Sequence, residues 1–444
     1  MSELAGWGNY PKITSEWLMP RHAADVSGLV GARTGLVARG QGRAYGDAAI
    51  GMTSTLSTGG LDRMRRFDPA TAELTVEAGV TIADILATFV PRGYFLKVVP
   101  GTKFVSVGGA IASDVHGKNH HRDGGFGDHV TSFGLALPSG EILTCSREAN
   151  TELFWATIGG MGLTGVITEA TLRLRTIETG WLTQQTQVAG NLDAAIDALD
   201  QTAMAPYSVA WIDCLARGPA LGRSLIYTAD HAGTIEKDRL GAALPRYPAP
   251  RAGRLSVPGL FPSFALNQLS VRAFNELYFR RGAAQAGRQQ LVPWDSYFFP
   301  LDSIANWNRI YGHRGFLQHQ CVIPAPNARS VLARILERTS RLGNASFLAV
   351  LKQLGDSHGL MSFPMRGYTL AMDFPVSDAV FGFLDEIDAL VVAGGGRLYL
   401  AKDARQSRAT FEQGYTGLGR FRSLRKEIGA DTHLASHLSA RLGI

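Results

Sequence analysis

Short runs of alternating apolar and polar residues, each closed by a glycine cluster, dominate the first 180 residues. Residues 34–50, TGLVARGQGRAYGDAAI, open as a short apolar strand and break into a loop carrying Gly40, Gly42 and Gly46. The strand-like ELTVEAG is followed by TIADILATFVPRGY, helical by its apolar spacing and stopped by Pro91 and Gly93. VTSFGLALPSG and EILTCSR flank a Pro-Ser-Gly turn and read as a hairpin. Residues 152–175 begin as a helix, pass through a glycine cluster and end in alternating strand. After Thr176 the pattern changes. An amphipathic helix is expected over 187–204, strands carrying Trp211 and Tyr227 over 206–230, and a long, poorly periodic stretch over 245–295. From 315 onward FLQHQCVIP, a helix at 326–342, SFLAVLKQLG, GYTLAMDFP and a helix at 377–393 predict antiparallel strands covered by helices.

Composition narrows the class. Hydrophobic residues make up 45% of the 444 and charged residues 18%, which excludes a disordered or fibrous chain. The 44 Lys and Arg against 38 Asp and Glu leave a net charge of +6 without a run of like charges, so nucleic-acid binding is not indicated. Cys145, Cys214 and Cys321 are widely spaced and predict no disulfide framework and a reducing compartment. No signal peptide and no 18-residue apolar span is read, so a cytoplasmic protein is expected. Glycine is the outlier: 51 residues, about 11% against a usual level of about 7%.

The clusters differ in meaning. Gly160-Met161-Gly162-Leu163-Thr164-Gly165 fits a dinucleotide fingerprint, but a helix precedes it and a strand follows, the reverse of what that fingerprint needs. Gly40 to Asp47 supplies a loop whose backbone N–H groups can converge on an anion, with Arg43 as a charge partner. Residues 100–117 carry small side chains where bulk would be usual, which suits a segment lying against a flat ring or a diphosphate. His116 and His120 have H-x-x-x-H spacing, but Gly117 and Asn119 make a helical metal site improbable, and no metal is expected. Gln318 and Gln320, at i and i+2 of one strand, point to one face, and Lys352 sits similarly in the strand-like AVLKQLG as a candidate phosphate ligand.

The phrases GQGRAYGD and PGTKFVSVGGAIASDVHGKNHH, in this order, resemble the FAD-binding domain of the vanillyl-alcohol oxidase / p-cresol methylhydroxylase superfamily. With ELFWATIGGMGLTG, FLQHQCVIP, the DFP after Tyr368 and GGRLYLAKDAR, the likeness narrows to the flavin subunits of the ribose-to-arabinose epimerases of cell-wall synthesis, and it runs from about residue 35 to 405. The resemblance implies an α+β protein with a two-part FAD-binding domain, residues 1–180 and 395–444, around an inserted substrate domain, 181–394, with a mobile segment near 250–295. It implies that Arg39, Gly40, Gln41, Gly42, Arg43, Ala44 and Tyr45, with Gly101, Thr102, Val107, Gly108 and Gly109, hold the FAD pyrophosphate. Ala112, Ser113, His116, Gly117, Lys118 and Asn119 would lie near the ring system, and Gly162, Gly165, Val166, Tyr399 and Lys402 would complete the cofactor site.

Many members attach FAD through a histidine in the first loop; Arg43 stands in its place, so non-covalent FAD is implied. The implied reaction takes hydride from the 2′-carbon of a polyprenylphosphoryl ribose to flavin N5, leaving a 2-keto sugar. Lys402, Tyr45 and His116 are the catalytic candidates; Trp211, Gln318, Gln320, Lys352, Thr369 and Ala371 are the substrate contacts. An NADPH-dependent keto-reductase would complete the epimerisation, and a quinone or oxygen would take the electrons. Leu260, Phe261 and Phe264 among basic residues suggest peripheral contact with the inner membrane. Ala371 replaces a cysteine and Thr369 an asparagine of the mycobacterial-type pattern, which keeps a soluble sugar, alditol or glycoside open as the alternative substrate.

Overall fold

The computed structural model describes residues 1–250, 255–258, 267–343 and 348–444. Its first half rests on two sheets. In the smaller, Leu36–Arg39 and Ser54–Ser57 pair in parallel, Lys12–Leu18 pairs in parallel with Ser54–Ser57, and Ser2–Ala5 closes the outer edge. In the larger, the long strand Val166–Thr176 lies between Glu73–Glu77 and Val130–Ala136, and the predicted hairpin pairs Val130–Ala136 with Ile142–Ser146. The helix Ile82–Phe89 turns Ile82, Ile85, Leu86 and Phe89 into this core, and a reciprocal Thr81–Asp84 capping box satisfies its first turn. The 160–165 cluster is preceded by the helix Thr151–Thr157 and followed by the strand at Val166.

Eight antiparallel strands form the second half. Their order is Gln290–Pro293, Trp181–Ala189, Ser224–His231, Tyr207–Ile212, Ala349–Leu354, Gly367–Pro375, Phe316–Pro324 and Arg397–Leu398. Period-two alternation gives this sheet two chemically distinct faces. Ala210, Ile212, Leu317, Cys321, Ile323, Leu351, Leu370 and Met372 pack against the helices Leu192–Gln201, Ala325–Leu342 and Asp378–Ala393. Val209, Trp211, Gln318, Gln320, Val350, Lys352, Thr369 and Ala371 face the first half instead and line a cavity.

Two expectations need correction. The helix expected over 187–204 is Leu192–Gln201: residues up to Ala189 finish a strand, and Asn191, whose side chain accepts from the Ala194 N–H, starts the helix. The stretch 245–295 is richer in regular structure than its pattern suggests. It holds the 16-residue helix Gln268–Ala283, capped by Asn267, then Gln290–Pro293 and Trp294–Phe298. That helix buries only Val271, Asn275 and Gly282, so it lacks the apolar periodicity by which helices are read. Leu260, Phe261 and Phe264 lie outside the described residues.

The chain returns to its start after the eighth strand. Helix Leu418–Glu427 packs Phe421 and Leu424 into the core of the first half. Ala435 donates to the Leu36 carbonyl at 3.0 Å, and His437 donates to the Ile50 carbonyl at 3.0 Å. Arg425, fully enclosed, binds the carbonyls of Leu163, Ala430 and Leu434, so the 160–165 cluster is also tied to this segment. Cys145, Cys214 and Cys321 are buried and form no disulfide. No helix among the described residues is long and apolar enough to cross a membrane.

Candidate active site

The cavity lies where the glycine loops of the first half meet the inner face of the large sheet. Its wall on the side of the first half is built by close backbone approach. A Cβ on Gly40 would stand 1.9 Å from Ser106 Oγ, so the 40–43 loop and the 106–109 segment touch only because Gly40 has none. A Cβ on Gly46 would meet the Asp403 carbonyl at 2.1 Å, and the Tyr45 N–H donates to the Ala401 carbonyl at 2.9 Å. The first loop and the 399–403 turn are therefore locked together, and this places Lys402 Nζ 3.7 Å from the Tyr45 ring centroid.

Arg43 lies against aromatic rings, 3.9 Å from the Trp7 centroid and 5.5 Å from that of Phe104. Its Nε and the hydroxyl of Thr58 are buried, line the cavity wall and have no hydrogen-bond partner among the described residues. Unsatisfied donors beside a glycine loop fit an anionic group entering this end of the cavity.

On the sheet side, Gln320 Nε2 donates to His116 Nε2 at 3.0 Å and to Thr369 Oγ1 at 3.2 Å. His116 is thereby held as the tautomer protonated on Nδ1, an atom that is itself buried without a hydrogen-bond partner among the described residues. Burial pushes the His116 pKa well below its usual range, with the Lys352, His120 and Lys402 charges reinforcing it, so the imidazole is neutral. Tyr399 stacks on Phe363 with centroids 4.6 Å apart and donates to the Ser113 carbonyl at 2.8 Å.

Three amines share the cavity. Burial lowers Lys402 to about 7, opposed by Asp373 and reinforced by Lys352. Burial likewise lowers Lys118 to about 7, with Lys352 adding to the effect, and Lys352 itself to about 8. Asp373, opposite Gln318 in the strand register, accepts from Gln318 Nε2 at 2.6 Å and from the Tyr311 hydroxyl at 3.4 Å. Burial raises its carboxyl to about 7. The Tyr45 phenol is pushed up by burial and by the Asp373 charge, with Gln318 hydrogen-bonding to it. Lys402 and Asp373, both near 7, thus sit in one cluster where a proton is gained or lost at small cost near neutral pH, with Tyr45 and Gln318 beside them as hydrogen-bonding groups.

Of the residues singled out from sequence, Gly40 to Tyr45, Gly101, Thr102, Gly108, Gly109, Ala112, Ser113, His116, Gly117, Gly162, Gly165, Tyr399 and Lys402 line the cavity. So do Trp211, Gln318, Gln320, Lys352, Thr369 and Ala371. Four side chains lie elsewhere. Arg39 binds the Ala5 and Ala49 carbonyls at 2.7 and 3.4 Å, and Asn119 binds the Lys97 carbonyl at 2.8 Å and Asp123 at 2.7 Å. Val107 and Val166 are buried in the first half's hydrophobic clusters. Asp373 and Asp302 were not foreseen as site residues. Asp373 follows Thr369 and Ala371 on the same face, so an ionisable residue in the apolar run TLAMDFP was the available signal. Asp302, which accepts from the Lys103 N–H at 2.8 Å and lies in the field of Arg43, has no sequence signal.

A family model for an FAD-binding domain matches residues 17–146. Over 99% of its length this chain is 35% identical to decaprenylphosphoryl-beta-D-ribose oxidase of Mycolicibacterium smegmatis, 97% of which is covered. It is 33% identical to an uncharacterized protein of Streptomyces coelicolor, over 82% of this chain and all of that protein. L-gulonolactone oxidase of Mus musculus is 28% identical over 35% of this chain and 36% of its own length.

Proposed function

Because the chain belongs to the family of decaprenylphosphoryl-beta-D-ribose oxidase, we propose that it oxidises the 2′-hydroxyl of a polyprenylphosphoryl-β-D-ribose to the 2-keto sugar, the first half of epimerisation to the arabinose form. It is an FAD-dependent oxidoreductase acting on CH–OH groups. FAD, when bound, supplies the hydride acceptor. The chain's own residues hold, orient and deprotonate. The glycine loop, Arg43 and Thr58 offer donors to the diphosphate. Gln318, Gln320 and Thr369 offer hydrogen bonds to sugar hydroxyls, and Lys352, a cation without hydrogen-bond or ion-pair partners among the described residues, suits the substrate phosphate.

Lys402 carries the reading. Its amine, with a pKa lowered to about 7, takes up the hydroxyl proton at Nζ and then stands as the cation that stabilises negative charge nearby. Tyr45, under the same amine, relays the proton, and His116, neutral and oriented by Gln320, offers Nδ1–H as a donor.

Non-covalent attachment of FAD is supported by Arg43 in the loop where a linking histidine would stand. The division into 1–180 with 395–444 as the cofactor part and 181–394 as the substrate part is supported by the packing of the 408–442 helices on the first half. An NADPH-dependent keto-reductase then consumes the keto sugar, and a quinone or oxygen reoxidises the flavin. Peripheral contact with the inner membrane from the cytoplasmic side is supported by the exposed face of helix Gln268–Ala283. There Leu269, Phe274 and Leu277 stand among Arg280 and Arg281, while Tyr278 of the same helix reaches the cavity and packs on Trp211 at 4.9 Å.

The test is anaerobic. The purified protein is expected to be yellow, to release its flavin on denaturation, and to bleach with polyprenylphosphoryl ribose but not with free pentoses. Lys402→Ala is expected to keep flavin and lose bleaching. Colourless protein after FAD supplementation refutes the flavin assignment, bleaching by free sugars selects the soluble-substrate alternative, and turnover by Lys402→Ala removes the lysine from the mechanism.

A further inference from the structure

The turn carrying Lys402 is anchored from two sides by arginines that do not line the cavity. On the cofactor side, Arg441 of the helix His437–Leu442 donates to both oxygens of Asp47, from Nε at 3.1 Å and Nη2 at 2.8 Å. Its Nη1 donates to Asp403 Oδ2 at 2.9 Å and to the Gln406 carbonyl at 2.8 Å. Asp403 Oδ1 accepts the Arg405 and Gln406 N–H groups at 2.9 and 2.8 Å. Asp47 lies two residues beyond Tyr45 and Asp403 one beyond Lys402, so a single guanidinium spans both loops.

On the sheet side, Arg405 pairs with Asp388 of the helix Asp378–Ala393, and with Asp385 at 3.2 Å. Asp388 Oδ1 in turn meets His319 Nε2 at 3.0 Å. His319 sits between Gln318 and Gln320 on the strand, its side chain on the opposite face. Asp47, Asp403, Asp388 and His319 are all buried. A continuous series of ion pairs and hydrogen bonds therefore runs from the Tyr45 loop, through the Lys402 turn, to the back of the glutamine strand.

Buried bridges of this kind contribute little net stability, because desolvation offsets their attraction. What a bidentate guanidinium does supply is fixed relative geometry. We propose that Arg441 and Arg405 are positioning residues for the oxidation, Arg441 registering Lys402 against Tyr45 and Arg405 registering the same lysine against Gln318 and Gln320. This rests on Lys402 acting at the reaction centre, as read above. A displacement of about 1 Å at such a centre costs on the order of a hundredfold in rate.

The experiment compares Arg441→Ala, Arg441→Lys, Asp47→Asn and Arg405→Lys, all in the full chain. Three quantities are read: flavin bound per protein, anaerobic flavin reduction rate per bound flavin, and the pH midpoint at which Lys402 becomes reactive to an acylating reagent, followed by peptide mass, with and without FAD. Arg441→Ala is expected to keep flavin, to lose about tenfold or more of the rate per bound flavin, and to regain part of it with added guanidinium ion. Its Lys402 labelling midpoint is expected to rise from about 7. Arg405→Lys is expected to raise KM more than it lowers kcat. Wild-type rate and midpoint in folded Arg441→Ala, or in Asp47→Asn if the former does not fold, overturn the proposal, as does a loss explained wholly by missing flavin. Full turnover by Lys402→Ala is the distinct outcome in which the reading of the reaction centre fails and takes this proposal with it.

Discussion

At the scale of single residues, the chemistry depends on amines kept less basic than a lysine in water. Lys402 was legible in the sequence as AKDAR, but its lowered pKa was not. That property comes from burial, opposed by Asp373 and reinforced by Lys352, which are 29 and 50 positions away in the chain. The sign of the linkage is definite. Between about 7 and 10.5 the unfolded chain keeps the Lys402 proton while the folded one has lost it, so this group's contribution makes stability rise with pH across that window. Below about 7 both forms carry the proton and the folded state bears the full cost of the enclosed charge. Lys352→Met removes a like charge from the neighbourhood of Lys118 and Lys402. It is expected to move the pH midpoint of Lys402 labelling, and of anaerobic flavin reduction, upward by about one pH unit. An unchanged or lower midpoint contradicts the mutual influence of the amines.

At the scale of elements, strand alternation carried most of the legible information. Phe316–Pro324 and Gly367–Pro375 were readable as strands, and the parity of Gln318, Gln320, Thr369 and Ala371 put them on one face. Parity also governs a thiol experiment. The three cysteines are buried, with Cys145 and Cys321 pushed up to about 12 and Cys214 raised as well. Ala371→Cys would put one thiol in the cavity opposite Gln320 in the register. Alkylation is expected to label the variant once, to leave the parent unlabelled, and to be slowed by bound substrate. Labelling of the parent at an equal rate would show that a buried cysteine is accessible. The helix Gln268–Ala283 shows where element reading fails. With its apolar residues at Leu269, Phe274 and Leu277 turned outward, it has no buried stripe to announce it.

At the scale of the molecule, that outward face is expected to bind lipid surfaces. The full chain should co-sediment with vesicles of anionic phospholipid, and Leu269→Glu with Leu277→Glu should weaken this by about tenfold or more, given roughly 1.5–3 kcal/mol per buried leucine. Oxidation of a short-chain, water-soluble substrate analogue should be unaffected by the pair. Equal sedimentation of parent and variant refutes a docking role for this helix. The two-part organisation was legible only through resemblance, because contacts such as Arg441 with Asp47 join residues 394 positions apart and leave no local pattern. Those same contacts have a consequence for biosynthesis. The chain emerges from the ribosome in order, and the first loop, complete by residue 47, lacks the arginine that pairs with its aspartate until residue 441 has been made. The neighbouring backbone waits as well: Leu36 and Ile50 bind Ala435 and His437. The cofactor cradle therefore cannot close fully before these helices are made, and a nascent chain interrupted ahead of them carries an open cradle.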